Sequence, residues 1–262
     1  MHFPRLALLF STFMMPLAAA AWADDQPVAS STAPVTHGEL PDLVKQTLLN
    51  NPDIIMQAIE KLHEKQASDS AKHAQDAIGS HKDELLGDAH SPMVGSSKAN
   101  MTVVEFFDYH CGYCKHMLPE MTKLLDQDKK VRVIFKEFPI LSEDSVLAAR
   151  AALAVYNIAP EKYFAFHTAL MSTTGKFDEK TIMKLAKEQG IGADKLKAEM
   201  GKPYIMAELE KNRKMAEDIG IRGTPAIIVG DRLVPGALPY EDLQNAVDAM
   251  RNPKTASETP KS

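Results

Sequence analysis

An apolar run at residues 101–108 (MTVVEFFD), two cysteines three positions apart at Cys111 and Cys114, and the pattern Met117, Leu118, Met121, Leu124, Leu125 follow one another directly. β-Branched and aromatic residues favour a buried strand, and the i, i+3, i+4 spacing marks one helix face, so the cysteines sit at a strand-to-helix turn. A second run, residues 131–138 (VRVIFKEF), reads as a strand parallel to the first, because a parallel pair needs a crossover and a helix lies between them. The fold class is therefore α/β.

The rest of the chain falls around this unit. A long helical block is expected over residues 145–219, with apolar faces at Val146/Ala149/Leu153, Tyr163/Phe164/His167/Leu170, Ile182/Leu185/Ala186 and Ile205/Leu209. Residues 226–229, the turn Gly230-Asp231 and residues 232–235 form a hairpin signal, and a last helix carries Leu243, Ala246, Val247 and Met250. Upstream, Leu40, Leu43, Val44 and Leu48, then Ile55, Ala58, Ile59 and Leu62, give two short amphipathic helices broken at Asn51-Pro52, with Asn51 as N-cap of the second. Ala67, Ala71, Ala74, Ile78 and Leu85 follow at heptad-like spacing, which fits either a solvated helical linker or a coiled-coil stalk. The Gly/Pro/Ser-bearing stretch 87–100 reads as a domain boundary.

At the N-terminus, Arg5 precedes an apolar run that ends in Ala21-Trp22-Ala23, the arrangement of a cleavable export signal. The division expected is a signal at 1–23, a flexible leader at 24–38, a helical oligomerisation segment at 39–66, a helical linker at 67–100, a catalytic domain at 101–251 with its helical insertion at about 140–220, and a disordered tail at 252–262. Export places the product in the periplasm, where disulfides persist. The net charge of −5 over 262 residues, with no Lys/Arg stripe, argues against nucleic acid as a partner. Two cysteines so close together cannot staple a long loop, which leaves a reactive pair.

Cys111-Gly112-Tyr113-Cys114 at a helix start puts both sulfurs on the first turn, where unsatisfied N–H groups and the positive dipole end favour a thiolate at Cys111. Cys111 is then the nucleophile and Cys114 the shielded resolving thiol. The alternative is half of a zinc site flanked by His110 and His116. Four ligands crowded on one turn cannot converge tetrahedrally, however, and no second C-x-x-C exists. Glu105 lies in the apolar strand beneath the turn, either as proton acceptor for Cys114 with a desolvated carboxyl or paired with Lys136 on the next strand; the two readings are compatible. Thr224-Pro225, after Gly223 and before a strand, reads as a cis turn whose backbone is available to an extended substrate, or simply as a strand-initiating proline.

The sequence FFDYHCGYCKHMLPEM, the later GTPA, and the helical block between the second strand and Thr224-Pro225 together resemble the DsbA-like branch of the thioredoxin fold. The resemblance covers about residues 101–250. It implies that Cys111 attacks, Cys114 resolves, Glu105 is the buried acid and Thr224-Pro225 the cis-proline loop, with Gly112 and Tyr113 contacting substrate. DsbA oxidases usually carry Pro-His between the cysteines and Val before the cis-proline; this chain departs at both places. A histidine there would add a cation beside the thiolate, and Gly112-Tyr113 does not, so a less oxidising pair is expected. Gly-Tyr with Thr before the proline is similar to the DsbC and DsbG isomerases. The segment LVKQTLLNNPDIIMQAIEKL resembles the oligomerisation segment of ScsC-type copper-tolerance proteins.

The reading is an exported disulfide isomerase or reductase acting on misfolded or misdisulfided proteins, with no cofactor beyond the Cys111–Cys114 redox pair and no resident metal. Its partners are a membrane redox protein, a reductant in this reading, and further copies of the chain joined through residues 39–66. Packed Leu43, Val44, Leu48, Ile55, Ile59 and Leu62 would tether several dithiols around one substrate. The alternatives are that these helices fold back on their own catalytic domain, that the protein is a dithiol oxidase, or that Cys111 and Cys114 hold Cu(I), with help from His110, His116 or Met117.

Overall fold

A computed structural model describes Gly38 and residues 40–252. The segments expected to be an export signal (1–23) and, apart from Gly38, a leader (24–38), with all of the expected tail but residue 252, lie outside the described residues. The chain divides into two units between Met56 and Gln57.

In the first unit, α1 spans Leu40–Asn50 and α2 begins at Asp53. The break falls where Asn51-Pro52 predicts it. Asn51 serves the preceding helix: its backbone N–H and side-chain Nδ2 both donate to the Thr47 carbonyl, at 3.0 and 2.9 Å.

α2 runs unbroken from Asp53 to Ser80, and α3 follows at Lys82–Gly87. A short second helix followed by a separate linker is thus replaced by one continuous helix, as residues 53–78 contain no Gly or Pro to stop it. Of the heptad-like positions, Ala67 and Ala71 are exposed, while Ala74, Ile78 and Leu85 are buried in the core of the second unit. The catalytic domain therefore reaches back beyond residue 101. β1, Met93–Gly95, lies inside the stretch expected to be a boundary.

The sheet has the order β1-β3-β2-β4-β5. β2 (Met101–Phe107) and β3 (Val131–Glu137) are parallel, joined by α4 (Gly112–Gln127). β1 adds antiparallel to β3, and β4 (Ala226–Val229) antiparallel to β2. β5 (Arg232–Pro235) closes a hairpin on β4 through Gly230, whose φ of 65° is the left-handed conformation such a two-residue turn needs.

Between β3 and β4 the chain forms α5 (Glu143–Ile158), a 3₁₀ turn (Pro160–Lys162), α6 (Tyr163–Ser172), α7 (Glu179–Glu188), α8 (Ala193–Met200) and α9 (Pro203–Ile219). α10 (Tyr240–Arg251) ends the described chain. Alternate residues of the central strands feed two cores. Val103, Phe107, Val133 and Phe135 pack with α4, α5, α6 and α10, whereas Val104, Phe106, Ile134 and Phe138 pack with Ile78, Leu85 and the end of α9. This is the thioredoxin fold with an inserted helical domain.

Candidate active site

The parallel strands deliver their C-terminal ends to one edge of the sheet, and Cys111 sits there as the N-cap of α4. Both cysteines are thiols and both are buried, Cys111 at 7% and Cys114 at 1% exposure. Cys111 Sγ donates to the Thr224 carbonyl oxygen at 3.1 Å. The Thr224–Pro225 peptide is cis. Cys111, Cys114, Thr224 and Pro225 thus come together as the sequence places them. Gly112 and Tyr113 are exposed at the start of α4, Tyr113 at 69%.

Glu105 is buried in β2, and its Oε1 has no hydrogen-bond partner. Burial pushes its carboxyl up to about 8. Burial, and next the charge of Glu105, push the Cys114 thiol far above the ordinary cysteine range. The two groups feel each other's charge beneath the turn.

The expected pairing of Glu105 with Lys136 is not formed. Glu105 is in register with Phe135, and Lys136 with Phe106, so the two side chains enter opposite cores. Lys136 Nζ instead donates to Ser91 Oγ at 2.6 Å and to the Glu84 carbonyl at 3.0 Å, with Asp88 at 3.9 Å. Ser91 in turn donates to Glu208. This buried cluster fastens the segment between α3 and β1 to the sheet.

Asp108, which sequence reasoning passed over as the end of a strand, is 1% exposed. Its Oδ1 accepts from the His110 N–H and from Ser145 Oγ, both at 2.7 Å. Its Oδ2 accepts from the N–H groups of Ile140 and Leu141 at 2.8 and 2.9 Å. The Cys111 N–H donates to the Asp108 carbonyl at 3.0 Å. One residue thereby anchors the cysteine turn and the entry to α5. The Asp in F-F-D-x-x-C was the only signal that could have found it.

A second buried polar group lies deeper. Tyr109 OH is 3.1 Å from Glu137 Oε1 and 3.1 Å from His167 Nδ1. Burial holds the Glu137 carboxyl well above its usual range and depresses His167 to about 3, so the imidazole is neutral. His167, read from its helical position as a packing residue, packs and also hydrogen-bonds.

His110 stacks edge-on to Phe177 with centroids 4.8 Å apart, and His116 is exposed. Among the described residues no group of three or more His, Cys, Asp or Glu side chains is placed to hold a metal ion.

A dithiol at a helix N-terminus, with its attacking sulfur against a cis-proline loop and a carboxyl buried beneath, defines a thiol–disulfide oxidoreductase. A thioredoxin family model matches residues 88–249. The chain belongs to the thioredoxin family, in its DsbA-like branch. A thioredoxin-like oxidoreductase from Silicibacter pomeroyi is 41% identical, with a TM-score of 0.62 over 65% of this chain and 98% of that one. ScsC from Proteus mirabilis, in a transitional conformation, is 33% identical with a TM-score of 0.62, covering 81% of this chain and 95% of its own. The disulfide bond formation protein D of Bacillus subtilis is 26% identical over 167 residues, 60% of this chain and 75% of the relative.

Proposed function

We propose that this oxidoreductase is an exported disulfide isomerase and reductase of misfolded proteins. The observation that supports the assignment of roles is the Cys111 Sγ contact with the Thr224 carbonyl of the cis-proline turn, a contact that favours Cys111, rather than Cys114, as the sulfur that meets substrate. The Cys111 thiolate attacks one sulfur of a substrate disulfide, forming a mixed disulfide and releasing the other sulfur as thiolate. Isomerisation follows when that released thiolate attacks another substrate disulfide and the thiolate displaced there attacks the substrate sulfur bound to Cys111, forming a new substrate disulfide and releasing Cys111 as thiolate. In reduction, Cys114 passes its proton to Glu105 and attacks Cys111 Sγ. The substrate leaves with two electrons and the protein keeps the disulfide. The electrons are restored by a membrane thiol reductant.

Gly112-Tyr113 supports the isomerase reading, since neither residue adds a cation beside the Cys111 thiolate. So do the exposed apolar side chains Leu43, Val44, Ile55, Ile59 and Leu62, which favour self-association and a shared cleft. The N-terminal sequence favours a periplasmic location. No helix among the described residues is long and apolar enough to cross a membrane.

The test is the redox equilibrium of the Cys111–Cys114 pair with glutathione, beside trapping by Cys114→Ala. A pair more reducing than about −120 mV, the poise of a strongly oxidising DsbA, and a trapped substrate disulfide on Cys111 support the reading. A pair as oxidising as that argues for the oxidase.

A further inference from the structure

The peptide between Phe107 and Asp108 lies at the end of β2, and its C=O and N–H point in opposite directions, as in any trans peptide. The Phe107 carbonyl accepts from the Phe138 N–H at 2.9 Å, just past the end of β3. The Asp108 N–H therefore points away from β3. The ladder with β4 stops at Phe106 and Ala226, before reaching this N–H, so the sheet does not use it. Its partner is Cys114. Burial and the charge of Glu105 push the Cys114 thiol up, and a backbone hydrogen bond from Asp108 opposes them. Only a donor favours a thiolate in this way, and the Asp108 carbonyl has another role, accepting from the Cys111 N–H at 3.0 Å. One residue thus meets both cysteines through its backbone. Its carboxylate, buried and bonded to four neutral donors, holds that backbone in place: the His110 N–H from the cysteine turn, Ser145 Oγ from α5, and the Ile140 and Leu141 N–H groups from the loop between.

We propose that the Asp108 N–H is the donor that stabilises the negative charge on Cys114 Sγ during resolution, and that the Asp108 carboxylate is the positioning group that keeps this N–H on the sulfur. The inference rests on the reading of Cys114 as the resolving thiol and names what lets so buried a thiol attack. In that step the Cys114 proton goes to ionised Glu105 and the Cys114 thiolate attacks Cys111 Sγ. The Cys111–Cys114 bond forms, the bond from Cys111 to the substrate sulfur breaks, and that sulfur leaves as thiolate. Negative charge rests on Cys114 Sγ only between loss of the proton and completion of the attack, at a sulfur 1% exposed to water. A donor already in place there needs no reorganisation when the charge arrives, which is the logic of an oxyanion hole. Tying the carboxylate to three segments at once serves that end, since a turn free to rotate would take the N–H off the sulfur.

The experiment uses the chain from residue 24, reduced, in single turnover with a symmetrical aromatic disulfide whose thiolate absorbs visible light. Attack by Cys111 releases one aromatic thiolate and attack of Cys114 on Cys111 releases the second, so the two steps are read as two phases. Replacing the Phe107–Asp108 amide with an ester, through an α-hydroxy acid analogue of aspartate, removes the N–H. The second phase should then slow about tenfold, a change of ~1.4 kcal/mol, and the first by less than about twofold. Asp108→Asn, which turns an NH₂ toward at least one pair of the four donors, should slow the second phase to a similar extent. Ser145→Ala removes a single donor and should slow it less; it keeps the test open if Asp108→Asn does not fold. The pH profile of the second phase should keep its Glu105 inflection at about 8, the ester protein running parallel below the unsubstituted one. An inflection displaced toward the ordinary carboxylate range reports a loosened core and overturns the proposal. An unchanged second phase, or an equal slowing of both phases, overturns it too and leaves the dithiol reading standing. Absence of a second phase from the unsubstituted protein overturns the reading of Cys114, and the proposal with it.

Discussion

Glu105 and Lys136, on neighbouring parallel strands, face opposite sides of the sheet, because Glu105 is in register with Phe135 and Lys136 with Phe106. Lys136 is therefore not a partner of the carboxyl, whose Oε1 accepts no hydrogen bond among the described residues. Burial raises the carboxyl to about 8, so near neutrality it exists in both forms and only its ionised fraction can take up a proton.

Folding linkage follows with a definite sign. The unfolded chain loses the Glu105 proton from about 4.5, while the folded chain keeps it to about 8. Stability is full below the lower value and falls as pH rises to the upper one, by about 1.4 kcal/mol per pH unit from this group. In Glu105→Gln this slope should vanish between those limits. Urea midpoints measured across that range on both proteins check it; parallel curves would refute it. The same variant should slow resolution of a Cys111 mixed disulfide by Cys114 about 100-fold, within the usual range for loss of a positioned acid–base group.

His167 carries the opposite sign. Its buried ring stays neutral down to about 3, whereas the unfolded ring takes a proton at about 6.5. Stability is present above the upper value and drains away as pH falls toward the lower. His167→Gln keeps an acceptor for Tyr109 and removes the titration, so acid unfolding of the variant should begin at lower pH. Circular dichroism during an acid titration reads the difference.

Lys136 holds the α3–β1 segment through Ser91, Glu84 and Asp88. Replacing it with Met leaves Asp88 and Glu208 sharing Lys211 alone among the cations of that cluster. A loss of about 3 kcal/mol is expected, as when one partner of a buried ionic group is removed. Equilibrium urea unfolding measures it.

The site was legible where chemistry is local. A C-x-x-C after an apolar strand, a carboxylate inside that strand and a proline before another strand are each visible in a few consecutive residues, and the structure brings Cys111, Cys114, Thr224 and Pro225 together. What failed depended on register and on tertiary partners. Whether Glu105 meets Lys136 turns on a one-residue phase between strands, which pattern alone does not fix. Asp108 looks like any polar residue ending a strand until Ile140, Leu141 and Ser145 arrive around it. β1 has three residues in a Gly/Pro/Ser-bearing stretch, too few to show an alternation. Ala74, Ile78 and Leu85 show a periodicity but not which surface they cover, so helix packed on the sheet read as linker.

The same packing changes how a role of the N-terminal segment should be tested. Truncation near Gly95 would remove β1 and the buried Ala74, Ile78 and Leu85, so the N-terminal segment is better disabled by substitution.

The most direct measurement is reactivation of a scrambled, disulfide-bonded test enzyme by the chain from residue 24, compared with a Leu43→Glu/Ile55→Glu/Ile59→Glu variant. Both are expected to react at Cys111, and the unsubstituted chain to restore activity while the variant does so poorly. If neither restores activity and both oxidise a reduced test protein, the chain is a dithiol oxidase and the isomerase reading is contradicted.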